Sequence, residues 1–183
     1  MKTLKILMIC VSFAASCCAK SLPKEPGAKE VRVAQGDLLP FEMADYNTKD
    51  HTIYKTTDHP GAVFVLEYYG NFCGPCNENV PNIDDLVKEY KDRTAEVQIL
   101  DVSIDQDDDE YTDWIDKHHP TYPVLADKSR SESKKLKIKY IPTINVVDCG
   151  GNLTYQYVGI LSGQHKKDVR EAIEKAVTAC KPS

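Results

Sequence analysis

Residues 62–69 read Ala-Val-Phe-Val-Leu-Glu-Tyr-Tyr, an apolar run interrupted by a single glutamate. A continuous run of this length, rich in Val, Phe and Tyr, is the signature of a strand covered on both faces, and such a strand belongs at the centre of a sheet. The downstream pattern supplies the covering layers. Val80, Ile83, Val87 and Tyr90 recur at helical spacing within 73–93, with Pro81 inside the pattern where a kink is expected. A second buried strand is predicted over 97–104, a helix over 108–118 stopped by Pro120, a short strand over 123–126 and a helix over 131–138. Residues 143–147 then predict a strand, Gly150-Gly151 a hairpin turn and 153–158 the returning strand. Ser162 or Gly163 opens a last helix with a stripe of Val169, Ile173 and Val177. Strands alternating with helices and closing on a hairpin give an α/β class with a mixed central sheet covered by helices on both faces.

The chain of 183 residues is long enough for one such domain, assigned to 61–183, plus extra sequence at its start. Lys2 and Lys5 precede an apolar stretch from Ile6 to Ala15 and small residues at Ala14, Ala15, Ser16 and Ala19, which reads as a signal peptide over 1–19. About ten apolar residues are roughly half of what a helix needs to cross a bilayer. Cleavage after Ser16 and after Ala19 fit equally well, and Ala-Ala-Ser-Cys ending at Cys17 resembles a lipoprotein box, with Ala14 where that pattern usually has Leu. Residues 20–60 read as a linker and N-terminal extension, with short strand-like pieces broken by Gly36, Pro40 and Pro60. Loss of 1–19 removes Lys2 and Lys5 and no acid, so 21 basic residues face 28 acidic ones and the net charge moves from −5 to −7. With its only dense charge run, 107–110, acidic, the chain offers no basic surface for a nucleic acid.

Cys10, Cys17 and Cys18 fall in the targeting segment, leaving Cys73, Cys76, Cys149 and Cys180. An even set in an exported chain predicts two disulfides with different jobs. Cys73 and Cys76 are too close in sequence to staple the fold. Cys149 sits at the hairpin turn and Cys180 at the end of a helix that runs back toward that turn, so the two are expected within disulfide reach. Cys73-Gly74-Pro75-Cys76 stands where the buried strand gives way to a helix. A thiol there meets free amides and the positive end of the helix, which favour thiolate and make Cys73 the nucleophile. Gly74 admits a substrate chain, and Pro75 lacks an N–H where the first turn needs none. The alternative, half of a zinc site, lacks the second Cys-x-x-Cys it would need.

The segment Glu67-Tyr68-Tyr69-Gly70-Asn71-Phe72-Cys73-Gly74-Pro75-Cys76, with Pro81 after it, resembles the active-site segment of thioredoxin. Ile104-Asp105-Gln106, Ile141-Pro142-Thr143 and Tyr157-Val158-Gly159 resemble its later landmarks in the same order, and 108–126 resembles the inserted helix and strand of the exported TlpA/ResA-like branch. The resemblance covers about 61–180. It implies a thioredoxin fold with that insertion, a cis Pro142 beside the disulfide, and Ile141 backbone groups that dock substrate as a short added strand. It also implies dithiol–disulfide exchange with protein disulfides as substrates, no cofactor beyond the Cys73–Cys76 pair, no metal, a membrane thiol electron donor and a monomeric protein. The implied location is the bacterial periplasm or the outer face of the inner membrane, with a lipid anchor at Cys17 as an option and cytochrome c maturation as a setting.

Glu67 admits two readings, an exposed strand-end glutamate or a buried acid with a raised pKa that accepts the proton of Cys76. The resemblance favours the second, since thioredoxin keeps a buried aspartate there. Asp101 departs from the family, which usually has lysine at that position, and an acid so close would raise the Glu67 pKa. Tyr69 and Phe72 flank the reactive turn as substrate-groove candidates. Tyr111 and Trp114 read as core residues of the inserted helix, His118 and His119 as solvated residues at its end, and Asn152-Leu153-Thr154 as a glycosylation sequon that matters only in a eukaryote. The expected activity is reduction of protein disulfides; a disulfide oxidase or isomerase, and a binding or assembly factor without turnover, are the alternatives.

Overall fold

The computed structural model describes residues 38–181; the signal peptide, Cys17 and the first part of the linker lie outside that range. Five strands form the sheet in the order β5-β4-β3-β6-β7: β3 (Val63–Tyr69), β4 (Val97–Ser103), β5 (Val124–Ala126), β6 (Thr143–Val147) and β7 (Leu153–Val158). The apolar run of 62–69 is its central strand, buried at every position, parallel to β4 and antiparallel to β6. Because side chains alternate across a strand, Val63 and Val65 face one core and Phe64, Leu66 and Tyr68 the other.

The first core is closed by α1 (Gly74–Tyr90) and α4 (Gly163–Cys180), whose Ile83, Leu86, Val169 and Ile173 are fully buried against the sheet. Pro81 lies inside α1, exposed and without ending it. Ion pairs tie the two helices together on the outside, Lys166 to Asp85 at 2.7 Å and Arg170 to Glu89 at 2.6 Å. On the opposite face, α3 (Ser131–Lys135) leads into Leu136, which packs with Leu100, Val102 and Ile104. The helix α2 (Asp108–His118) starts in a capping box in which Asp107 and Glu110 each satisfy the other's backbone amide, and its Trp114 is sealed beside β5.

The segment before 61 is not an appendage. Residues 38–60 contain an antiparallel pair, β1 (Glu42–Ala44) and β2 (Ile53–Lys55), and Leu38, Phe41 and Met43 enter the second core beside Phe64 and Leu66. A boundary drawn at 61 therefore cuts through packed side chains. With α3, five residues long, as the helical cover of this face among the described residues, the sheet needs these apolar side chains as well. Pairs this short carry no periodicity that a sequence pattern can display.

Candidate active site

The cysteine pair sits where β3 stops. Gly70, Asn71 and Phe72 turn the chain, and Asp105 fixes the turn by accepting the Asn71 amide at 2.8 Å while Ser103 Oγ donates to the same carboxylate oxygen at 2.7 Å. Cys73 is the N-cap of α1, and the Cys76 amide donates to Cys73 Sγ at 3.2 Å. Sulfur thus occupies the place where a capping oxygen usually satisfies a free helix amide, the arrangement that stabilises a thiolate. The two residues form a disulfide with Cα atoms 5.2 Å apart. Cys73 is 7% exposed and Cys76 1%, while Gly74, Pro75 and Phe72 are open to solvent. An incoming group therefore meets Cys73 first.

The wall of the site comes from five segments. Tyr69, Val80, Trp114 and Val124 are buried around the cysteines, and Ile141 packs against the same cluster. The Ile141–Pro142 peptide bond is cis, and Pro142 is buried. Tyr140, one residue earlier, is 71% exposed and Phe72 is 72% exposed. Tyr140 was not among the residues singled out from sequence, because an isolated tyrosine in a lysine-rich segment carries no pattern. His118, read from sequence as solvated, instead packs against Trp114, its ring tilted 53° to the indole with centres 4.3 Å apart, and lies 2.9 Å from Asn77 Oδ1 in the first turns of α1. Its burial and the nearby Lys117 charge lower its pKa. Tyr111 and Trp114 are fully buried, and Trp114 touches Tyr69 at a ring separation of 4.1 Å.

Below the cysteines lies a second layer made of acids. Glu67 is 2% exposed, which rules out the strand-end reading, and Asp101 is fully buried opposite it in the parallel β3–β4 register. Both point to the α1 side of the sheet, as do Val65 and Ile99 two residues before each of them. Asn79, three residues after Cys76 and so close to it on the helix, donates to Glu67 Oε1 at 2.6 Å and accepts the Leu161 amide at 2.7 Å. Tyr122 OH donates to Asp101 Oδ2 at 3.2 Å. Asp101 Oδ1 and Trp114 Nε1 have no hydrogen-bond partner of good geometry, although the indole N–H is near enough to favour the Asp101 anion. Burial, and then the Asp101 charge, push the Glu67 pKa well above the carboxylate range. Burial also raises Asp101, to about 7, against the hydrogen bonds it receives.

Cys149 and Cys180 lie at the far end of the sheet. They form the second disulfide, with Cα atoms 5.9 Å apart and a sequence separation of 31, joining the turn after β6 to the last residue of α4.

Comparisons with known proteins agree with this geometry. The model of the AhpC/TSA family matches residues 36–156. The chain is 26% identical over 148 residues to the thioredoxin-like protein YneN of Bacillus subtilis (strain 168), covering 80% of this chain and 82% of that one. It is 25% identical over 152 residues to the thiol-disulfide oxidoreductase ResA of Bacillus cereus (strain ATCC 10987 / NRS 248), covering 82% and 83%. The fold matches the crystal structure of the exposed lipoprotein thioredoxin Etrx1 from Streptococcus pneumoniae strain TIGR4 with a TM-score of 0.64 at 21% identity, over 75% of this chain and 99% of that one.

Proposed function

The chain belongs to the AhpC/TSA family, and from that footing we propose that it is an exported thiol–disulfide oxidoreductase that reduces protein disulfides through Cys73 and Cys76. The observation that carries the reading is the Cys76 amide directed at Cys73 Sγ at a helix terminus whose Phe72, Gly74 and Pro75 are open to solvent. In the reduced protein Cys73 is the thiolate. It attacks one sulfur of a substrate disulfide, forming a mixed disulfide and releasing the other substrate sulfur with the bond's electron pair. Cys76 then gives its proton to Glu67, attacks Cys73 Sγ, and expels the second substrate thiolate. Two electrons have passed to the substrate and the Cys73–Cys76 disulfide is restored. A dithiol donor returns them by the reverse path, so no cofactor beyond the disulfide is required.

Around this chemistry Phe72, Gly74 and Pro75 form one side of the substrate groove and Ile141 and Pro142 the other, where an extended substrate segment pairs with the Ile141 backbone; Tyr69, a groove candidate from sequence, is fully buried behind the cysteines and supports the groove without lining it. The reducing direction rests on the Gly-Pro dipeptide between the cysteines. Export rests on the signal segment 1–19 and on the Cys149–Cys180 bridge, which suits an oxidising compartment. On this reading the protein works in the periplasm or on the outer face of the inner membrane, as a monomer supplied with electrons by a membrane thiol donor. The name of the pneumococcal neighbour, an exposed lipoprotein thioredoxin, supports the option of a lipid anchor at Cys17. Cytochrome c maturation is one setting in which such a reductant is used.

The test is insulin reduction with equilibration against glutathione. Catalysis that disappears in Cys73→Ser, with a potential toward the thioredoxin end near −270 mV, supports the reading; a value near −120 mV turns it into an oxidase. Cellular function that survives in Cys73→Ser replaces it with a binding or assembly role. Cys76→Ser should hold substrates as mixed disulfides for identification by mass spectrometry.

A further inference from the structure

We infer that Glu67 and Asp101 work as one acid pair holding a shared proton, and that Asp101 is the positioning residue that sets when this pair takes the Cys76 proton. The inference rests on the exchange mechanism proposed above and concerns its buried half. Three geometric facts carry it. The two carboxyls are paired in register on adjacent parallel strands, on the same face, with both residues almost completely out of water. Neither has a cationic partner among the described residues, so two negative charges side by side have nothing to offset them. Asp101 Oδ1 is a buried acceptor without a donor. A single proton between the carboxyls removes both problems, turning repulsion into a charge-assisted hydrogen bond.

The surroundings determine which member of the pair meets the cysteine. From α1 come Asn79, which holds Glu67 by its Nδ2, and the negative charge of Asp84. From the segment before β5 comes the Tyr122 hydroxyl, from α2 the Trp114 indole, and from β3 the Tyr69 phenol, whose ionisation both Asp101 and Asp105 oppose. From β6 comes only Ile144, in register with Glu67. Glu67 is tied through Asn79 to the helix face that carries Cys76, whereas Asp101 is tied to Tyr122 on the far side. When Cys76 attacks the mixed disulfide, its proton passes to the Glu67 side of the pair, whose negative charge is thereby cancelled. Re-reduction of the disulfide returns that proton to the Cys76 sulfur. Asp101 makes Glu67 basic enough to accept it, since an isolated glutamate would be a far weaker base than a thiolate.

The aryl disulfide dithiobis-nitrobenzoate separates the two halves of the reaction. With Cys149–Cys180 left oxidised, the first thionitrobenzoate released reports attack by Cys73. The second reports resolution by Cys76, with a leaving group that needs no proton. The readout is the ratio of second to first release rate as a function of pH. In the wild type it should rise through an inflection set by the pair. In Asp101→Asn that inflection should move down by about one pH unit, a tenfold change in proton affinity, because the like charge is gone. In Glu67→Gln the ratio should fall about tenfold to a hundredfold and lose the inflection, and Asp101→Glu should restore the wild-type profile. Superimposable ratio profiles in wild type, Asp101→Asn and Glu67→Gln overturn the pair while leaving the oxidoreductase intact. Failure of the wild type to release the first thionitrobenzoate overturns the exchange mechanism itself, and the pair with it. Should a variant not fold, infrared difference spectra of the wild type decide. A protonated carboxyl band that changes between the oxidised and reduced protein supports the pair, and no such band near neutral pH overturns it.

Discussion

The two disulfides occupy opposite ends of one sheet and helix ends of opposite polarity. Cys73–Cys76 spans three residues at the N-terminus of α1, where an amide of the helix itself, that of Cys76, donates to Cys73 Sγ; Cys149–Cys180 spans 31 at the C-terminus of α4, where the amide that reaches Cys180 Sγ, at 3.1 Å, belongs to Cys149 in the turn after β6 and not to the helix. A helix dipole stabilises a thiolate at the first place and opposes one at the second. Loop length points the same way. Closing three residues constrains the unfolded chain little, while closing 31 removes about 3–4 kcal/mol of loop entropy from it. The first bridge is therefore suited to opening and the second to staying shut. The same bond performs two jobs because helix polarity and sequence separation differ, with no difference in bond chemistry.

Four measurements can break or sharpen that contrast. The largest effect should follow Cys73→Ser, with insulin reduction falling by about a thousandfold or more, since the nucleophile is gone. A double Cys149→Ala/Cys180→Ala variant that lost activity to the same degree would erase the distinction. That double variant should instead keep turnover and lose about 3–4 kcal/mol in urea unfolding, or about 10 °C in Tm. A Tm equal to wild type would show the second bridge to be idle.

The third measurement concerns the acids beneath the first bridge. Folding raises Asp101 to about 7 and Glu67 well above the carboxylate range, against about 4 for both in the unfolded chain. The folded state then binds more protons than the unfolded one between those values. The stability these groups contribute is complete below about pH 4 and lost as pH rises through about 7. Asp101→Asn should flatten this decline, leaving the protein about 1–2 kcal/mol more stable than wild type at pH 8 and nearly equal at pH 4 in urea titrations. A parallel shift at both pH values would mean that the side chain matters only for packing. The smallest effect should come from Arg170→Ala, which removes an exposed pair between α4 and α1. A loss of about 0.5 kcal/mol or less is expected, and a loss comparable to that of the second disulfide would show that side-chain pairs, not the bridge, anchor α4.

Much of this was legible in the chain because it depends on periodicity. The central strand, the α1 stripe and the boundaries of α2 and β6 follow from apolar spacing, and the approach of Cys149 to Cys180 follows from a hairpin and a returning helix. What stayed hidden depends on contacts between segments distant in sequence. Asn79 reads as an ordinary polar helix residue until β3 places Glu67 2.6 Å from it. His118 looks solvated until α2 lays it on Trp114, and Leu38, Phe41 and Met43 look like an extension until they are needed to cover the second face. Asp101 was visible as an oddity, but its unpartnered oxygen was not.

A final consequence lies at the rim of the sheet. The β5 edge is short, and its outer amides are taken: Asp45 bridges to Leu125, the Tyr46 amide donates to the Val124 carbonyl, and the Asp45 carboxylate accepts the Val124 amide at 3.0 Å. Asn47 ties the same turn to the carbonyls of Pro120 and Tyr122. On the opposite side β7 has no such cover among the described residues. Among the described residues the sheet is thus a ladder with the β5 rail closed, so a further full-length strand, from a misfolded copy or a neighbouring chain, meets less obstruction along β7 than along β5.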